Sequence, residues 1–161
     1  MKLLRRIFFL FTSTILFSCQ PSEAQIEDSL VTAFEDYEEN LDSVIKHVEK
    51  TYYNRNQFKR LNRLQFVLDK KTYQKRNIFS DSLVSNELRN SAVVYISFEK
   101  GSMCLDKHQF DFVRFKLDVK QTAFQYYYVY EFCPQNLEDV DNPNFKSIQL
   151  DSNWSIQIEK S

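Results

Sequence analysis

The hydrophobic period of this chain changes once, and that change bounds the fold. Before Ser91 apolar residues recur every three or four positions; after it they alternate. Ile26, Leu30, Phe34, Tyr37, Leu41, Val44, Ile45 and Val48 fall on one stripe of a long helix, with His47 off the stripe and towards solvent. Phe58, Leu61, Leu64 and Leu68 restart the spacing after the polar run 51–57 and predict a second helix folding back. A short helix is expected within Ile78–Asn90, opened by Ser80 or Asp81 as cap and using Leu83, Val84 and Leu88.

The second half reads as strands. "AVVYISFEKG" is β-branched and aromatic and stops at Gly101, the single glycine of the chain. "QFDFVRFKL" alternates with a slip of phase near Val113, which predicts a β-bulge. "FQYYYVYEF" sends Phe124, Tyr126, Tyr128, Tyr130 and Phe132 to one face, and Gln125, Tyr127, Val129 and Glu131 to the other. "FKSIQLDSNWSIQI" predicts a hairpin turning at Asp151-Ser152-Asn153, with Ile148, Leu150, Trp154, Ile156 and Ile158 inward. "CPQNLEDVDNPN" reads as a solvated loop, because its acids lack calcium-loop spacing and a glycine. Helices first and antiparallel strands later predict an α+β domain, with N-terminal helices packed on one face of a sheet of about four to five strands. In element order alone this is similar to the cone-shaped folds of the nuclear-transport-factor-2-like group, a likeness that implies no function.

The amino terminus speaks to location. Lys2, Arg5 and Arg6 precede the apolar run IFFLFTSTILF, which is too short for the roughly 20 helical residues a bilayer core needs. It reads as a signal peptide over residues 1–18. Leu16-Phe17-Ser18-Cys19 resembles the lipobox of bacterial lipoproteins: an aliphatic residue, a small residue, then the cysteine. The resemblance implies cleavage before Cys19, lipidation of its thiol, and a membrane as the first partner. Phe17 is bulkier than the pattern prefers, and Ser22-Glu23-Ala24 offers a competing cut that releases a soluble secreted domain from Gln25. On the lipobox reading Cys19 to Gln25 carry the lipid and a short tether, and residues 26–161 make one domain.

Cys104 and Cys133 then remain as an even pair, and an exported chain meets an oxidising compartment, so a disulfide between them is expected. Cys104 and His108 have a spacing that metal sites use, with Asp106 or Cys133 able to extend the set. No second paired motif accompanies them, and no metal or cofactor is expected. Neither a P-loop, nor G-x-S-x-G, nor H-E-x-x-H occurs, so no enzyme is expected.

Charge separates two segments. Glu23 to Lys50 holds nine acidic and two basic residues, whereas Arg55 to Arg76 holds eight basic and one acidic. Arg55, Lys59, Arg60, Arg63, Lys70 and Lys71 therefore form the candidate patch for a protein partner or anionic headgroups. Without Lys2, Arg5 and Arg6 the chain has 18 basic against 22 acidic residues, a formal charge of −4, which does not suit nucleic acid. The function expected is an envelope-anchored protein-interaction module, of envelope-assembly or immunity type. The alternative is a periplasmic module binding a small ligand in a pocket lined by Tyr126, Tyr128 and Tyr130.

Overall fold

A computed structural model describes residues 21–52, 62–68, 81–100, 110–120, 122–134 and 139–161. Two compact units are present, one ending at Leu30 and the other Val31–Ser161. Helix α1 spans Glu23–Tyr52. Its start is a capping box: Ser22 N–H donates to Gln25 Oε1 at 2.9 Å, and Gln25 N–H donates back to Ser22 Oγ at 3.3 Å. Glu23 to Gln25, expected in a tether, thus form the first helical turn.

In the larger unit, Phe34, Leu41, Val44, Ile45 and Val48 are buried as the stripe predicts. The expected second helix and the expected strand count are overturned. Where a second helix was expected, Arg63–Val67 is a strand, β1, with Leu64 and Phe66 buried on one side and Arg63 exposed. A six-residue helix α2 follows at Ser82–Glu87, and then β2 Val93–Glu99, β3 Phe112–Leu117 and β4 Phe124–Glu131. Strands β5 Val140–Asn142, β6 Phe145–Gln149 and β7 Trp154–Lys160 complete the order. All pairings are antiparallel in one seven-stranded sheet, β1-β2-β3-β4-β7-β6-β5. One long helix and a seven-stranded sheet replace several helices on four to five strands, and the likeness in element order lapses with the second helix.

Smaller corrections have local causes. The register shift lies in β2, between Val93 and Tyr95, and β3 runs regularly with Val113, Phe115 and Leu117 buried. Part of the "solvated loop" is β5, turned onto β6 by Pro143-Asn144, with Asn142 Oδ1 accepting from the Asn144 and Phe145 amides at 3.1 and 2.9 Å. The β6–β7 hairpin turns as expected, Asp151 Oδ1 accepting from the amides of Asn153 at 2.6 Å and Trp154 at 2.7 Å.

The core lies between α1 and one sheet face. Phe34 meets Tyr128 and Trp154 at centroid distances of 5.4 and 5.3 Å, and Tyr52 meets Phe66 at 5.7 Å. Polar bonds fix α1 to the α2 region. Tyr37 donates to the Asn90 carbonyl at 2.8 Å, and Asn40 Nδ2 donates to Glu87 at 2.9 Å. His47, expected in solvent, instead bonds Asp81 Oδ2 at 2.9 Å, and the same oxygen accepts from Tyr52 at 2.8 Å. Asp81 Oδ1 caps α2 by accepting from the Leu83 and Val84 amides.

Burial pushes the Asp81 carboxyl up, but the bonds from His47, Tyr52 and Val84 and the His47 charge outweigh it and hold it below the ordinary range. A carboxyl with a lower pKa folded than unfolded stabilises fully above its unfolded value of about 3.9, and the contribution vanishes as pH falls through the folded value. Asp81→Ala is therefore expected to cost about 1–2 kcal/mol at neutral pH. In urea unfolding the gap to wild type should narrow steadily between pH 5 and pH 2; a gap that is constant with pH would contradict this account.

Candidate interaction surface

The sheet has a second face, and alternation determines what stands on it. In register, β1 contributes Arg63, β2 Tyr95, Ser97 and Glu99, and β3 Phe112, Arg114 and Lys116. From β4 come Gln125, Tyr127, Val129 and Glu131, and from β7 Ser155, Gln157 and Glu159. Small residues at the centre, Ser97, Val129 and Ser155, are buried, while the long side chains around them are half-buried, apart from the exposed Arg63 at the edge. The face is thus covered by its own side chains lying flat, with apolar stems and rings below and polar tips towards water.

Arg114 organises that cover. Its guanidinium lies 5.0 Å from the Tyr127 ring centroid and 5.9 Å from that of Phe112, and donates to Glu159 and, at 2.8 Å, to Gln157. Stacking of this kind contributes about 0.5–1 kcal/mol where water still reaches the cation. On adjacent strands Lys116 Nζ and the Tyr127 hydroxyl both donate to Gln125 Oε1, at 2.8 and 2.7 Å. At the β1 edge Arg63 donates to Glu99 at 2.7 Å, and Ser97 Oγ donates to the other carboxylate oxygen at 2.7 Å. Burial, reinforced by the charge of Glu159, pushes the Tyr127 hydroxyl pKa up, so it remains a neutral donor at physiological pH.

Chemically this face offers groups suited to recognition. Arginine and tyrosine are the residue types that dominate binding energy at protein interfaces, since both present rigid, flat, amphipathic area. Their positions here are fixed by contacts within the sheet itself.

Cys19, Arg55, Lys59, Arg60, Lys70, Lys71 and Cys104 lie outside the described residues, as do Asp106 and His108. Arg63 is on this face, with its charge matched by Glu99. Tyr126 and Tyr128 are 1% and 3% exposed on the helix face; Tyr130 packs edge-on against Trp154 at 5.1 Å and Phe132 at 5.2 Å. The tyrosines proposed to line a pocket are therefore engaged in packing. Burial pushes the Tyr128 and Tyr130 hydroxyls up. Cys133 is disulfide-bonded, and its partner sulfur lies outside the described residues. Sequence reasoning missed Arg114, Phe112 and Lys116 as site residues, and placed Tyr127 on the correct face without assigning it a role. Comparison with protein-family models, curated proteins and solved structures finds no match to this chain.

Proposed function

We propose that this protein is an envelope-anchored lipoprotein that binds a protein partner through the second face of its sheet. The observation that carries the interaction reading is Arg114 held over Tyr127 and Phe112 on a half-buried face, with its hydrogen bonds already arranged. The anchoring reading draws on Leu16-Phe17-Ser18-Cys19, and the capping box supports it, because a cut after Ala24 would separate Gln25 from Ser22 and remove that cap. Among the described residues no helix is long and apolar enough to cross a membrane. Cys104 is proposed as the disulfide partner of Cys133.

A tagged protein crosslinked in its own membranes tests the interaction. Arg114→Glu and Tyr127→Ala, each with unchanged circular dichroism, are expected to reduce recovery of the same partner by about tenfold, the loss of a typical anchor residue. Equal recovery by wild type and both variants would remove the proposal.

A further inference from the structure

We infer that the partner presents a basic side chain, arginine or lysine, that docks at Glu131 between Phe112 and Ser155. This deepens the interaction proposal above and rests on it. Register places Glu131 directly opposite Phe112 of β3. Val129, two residues earlier on β4, stands opposite Ser155 of β7, so Ser155 is the diagonal neighbour of Glu131 on the same face. All three belong to the larger unit, at the same end of the sheet face.

Two unmet polar capacities meet there. Ser155 is 1% exposed, and its Oγ has no hydrogen-bond partner. Buried hydroxyls are nearly always paired, so an orphan in a native sheet calls for an explanation. Glu131 is half-buried, and no cation accompanies its carboxylate among the described residues, whereas Glu99 has Arg63 and Glu159 has Arg114. Burial alone pushes its carboxyl pKa up. A guanidinium or ammonium answers both: it donates to the carboxylate, its flat or apolar portion lies on the Phe112 ring, and it reaches the hydroxyl oxygen once the half-buried side chains over Ser155 part. The formal charge of −4 that remains without Lys2, Arg5 and Arg6 further favours a basic partner.

The probe is a tetra-arginine amide, with neutral tetra-citrulline as its control, added to isotope-labelled protein lacking residues 1–18. Saturable chemical-shift changes are expected at Glu131, Ser155 and Phe112 with the arginine peptide only. Glu131→Gln should weaken binding about tenfold, the scale of one charge-assisted hydrogen bond. Ser155→Ala should raise Tm by removing the orphan hydroxyl while lowering peptide affinity, a combination that a purely structural serine would not give. Shifts confined to the acidic residues of α1, or equal affinity in wild type and both variants, would overturn the inference. The two proposals separate cleanly. A partner lost on Arg114→Glu yet retained in full by Glu131→Gln refutes the basic side chain and leaves the interface standing. A peptide response at Glu131 with no partner sensitive to Arg114 does the reverse.

Discussion

Replacing Trp154 by alanine is expected to lower folding stability by about 3–5 kcal/mol, a large share of the roughly 5–15 kcal/mol that holds a domain together. Trp154 is 2% exposed and joins three elements: Phe34 of α1 at 5.3 Å, Phe115 of β3 at 5.7 Å and Tyr130 of β4 at 5.1 Å. Helix α1 has other apolar contacts with the sheet, and at Trp154 rings from α1, β3 and β4 converge on one side chain. A cavity there has rigid walls on the strand side, because Phe115 and Ile156 are themselves fully buried, so little collapse can offset it. Trp154→Phe keeps an aromatic surface and should lose less. Since the chain has one tryptophan, wild-type fluorescence reports on this junction specifically, and the variants are compared by far-ultraviolet circular dichroism in urea. An alanine variant within about 1 kcal/mol of wild type would mean that the helix–sheet junction is held elsewhere.

How much of this was legible depends on whether local pattern or pairing set the outcome. The α1 stripe was readable because its residues repeat over many turns: Phe34, Leu41, Val44, Ile45 and Val48 are buried as the spacing requires. The β6–β7 hairpin was readable because Asp151 and Asn153 supply their own turn chemistry. β1 failed because Leu61, Leu64 and Leu68 match a helical period, while Leu64 and Phe66 match a strand, and a run this short cannot decide between them. Pairing with β2, Leu64 opposite Phe98 and Phe66 opposite Ile96, decides it. β5 carries a single apolar residue, Val140, which is exposed, and it forms because β6 offers it an open edge. Spacing placed His47 off the apolar stripe, but its partner Asp81 is 34 residues away and carries no local mark.

The interaction surface shows the same division. Alternation placed Tyr127 and Glu131 together on the face away from the helix, which the structure bears out. That Arg114 would lie over Tyr127 and reach Glu159 depends on the registers of β3 with β4 and of β4 with β7, with partners 45 residues apart. No local pattern encodes those offsets. The aromatic ladder drew attention to the buried tyrosines, whereas the residues of the proposed interaction surface stand on the positions between them.

Cys19→Ser is expected to have the largest effect on where the protein is found, moving it from the membrane fraction to the soluble one or leaving its leader uncut. Each acyl methylene contributes about 0.8 kcal/mol of membrane affinity, so a diacylglyceryl group and an amide-linked chain together make spontaneous release negligible, and the serine variant forfeits all of it. The intact mass of the wild-type mature protein should correspond to a chain beginning at Cys19 plus acyl groups, with a deficit of two hydrogens for a Cys104–Cys133 disulfide that reduction restores. An unacylated chain beginning at Gln25 would place the protein in solution outside the cytosol, with α1 deprived of its Ser22–Gln25 cap. The proposed binding face would survive that outcome, since Arg114, Tyr127 and Glu131 owe their positions to the sheet alone. What would change is concentration: a partner held in the same membrane meets an anchored face far more often than a soluble one. If the proposed contact at Glu131 is weak, it suffices for binding in the first case and not in the second. Partner recovery from membranes should therefore fall in Cys19→Ser even though every residue of the face is intact, and recovery unchanged by loss of the lipid would separate the binding face from the membrane altogether.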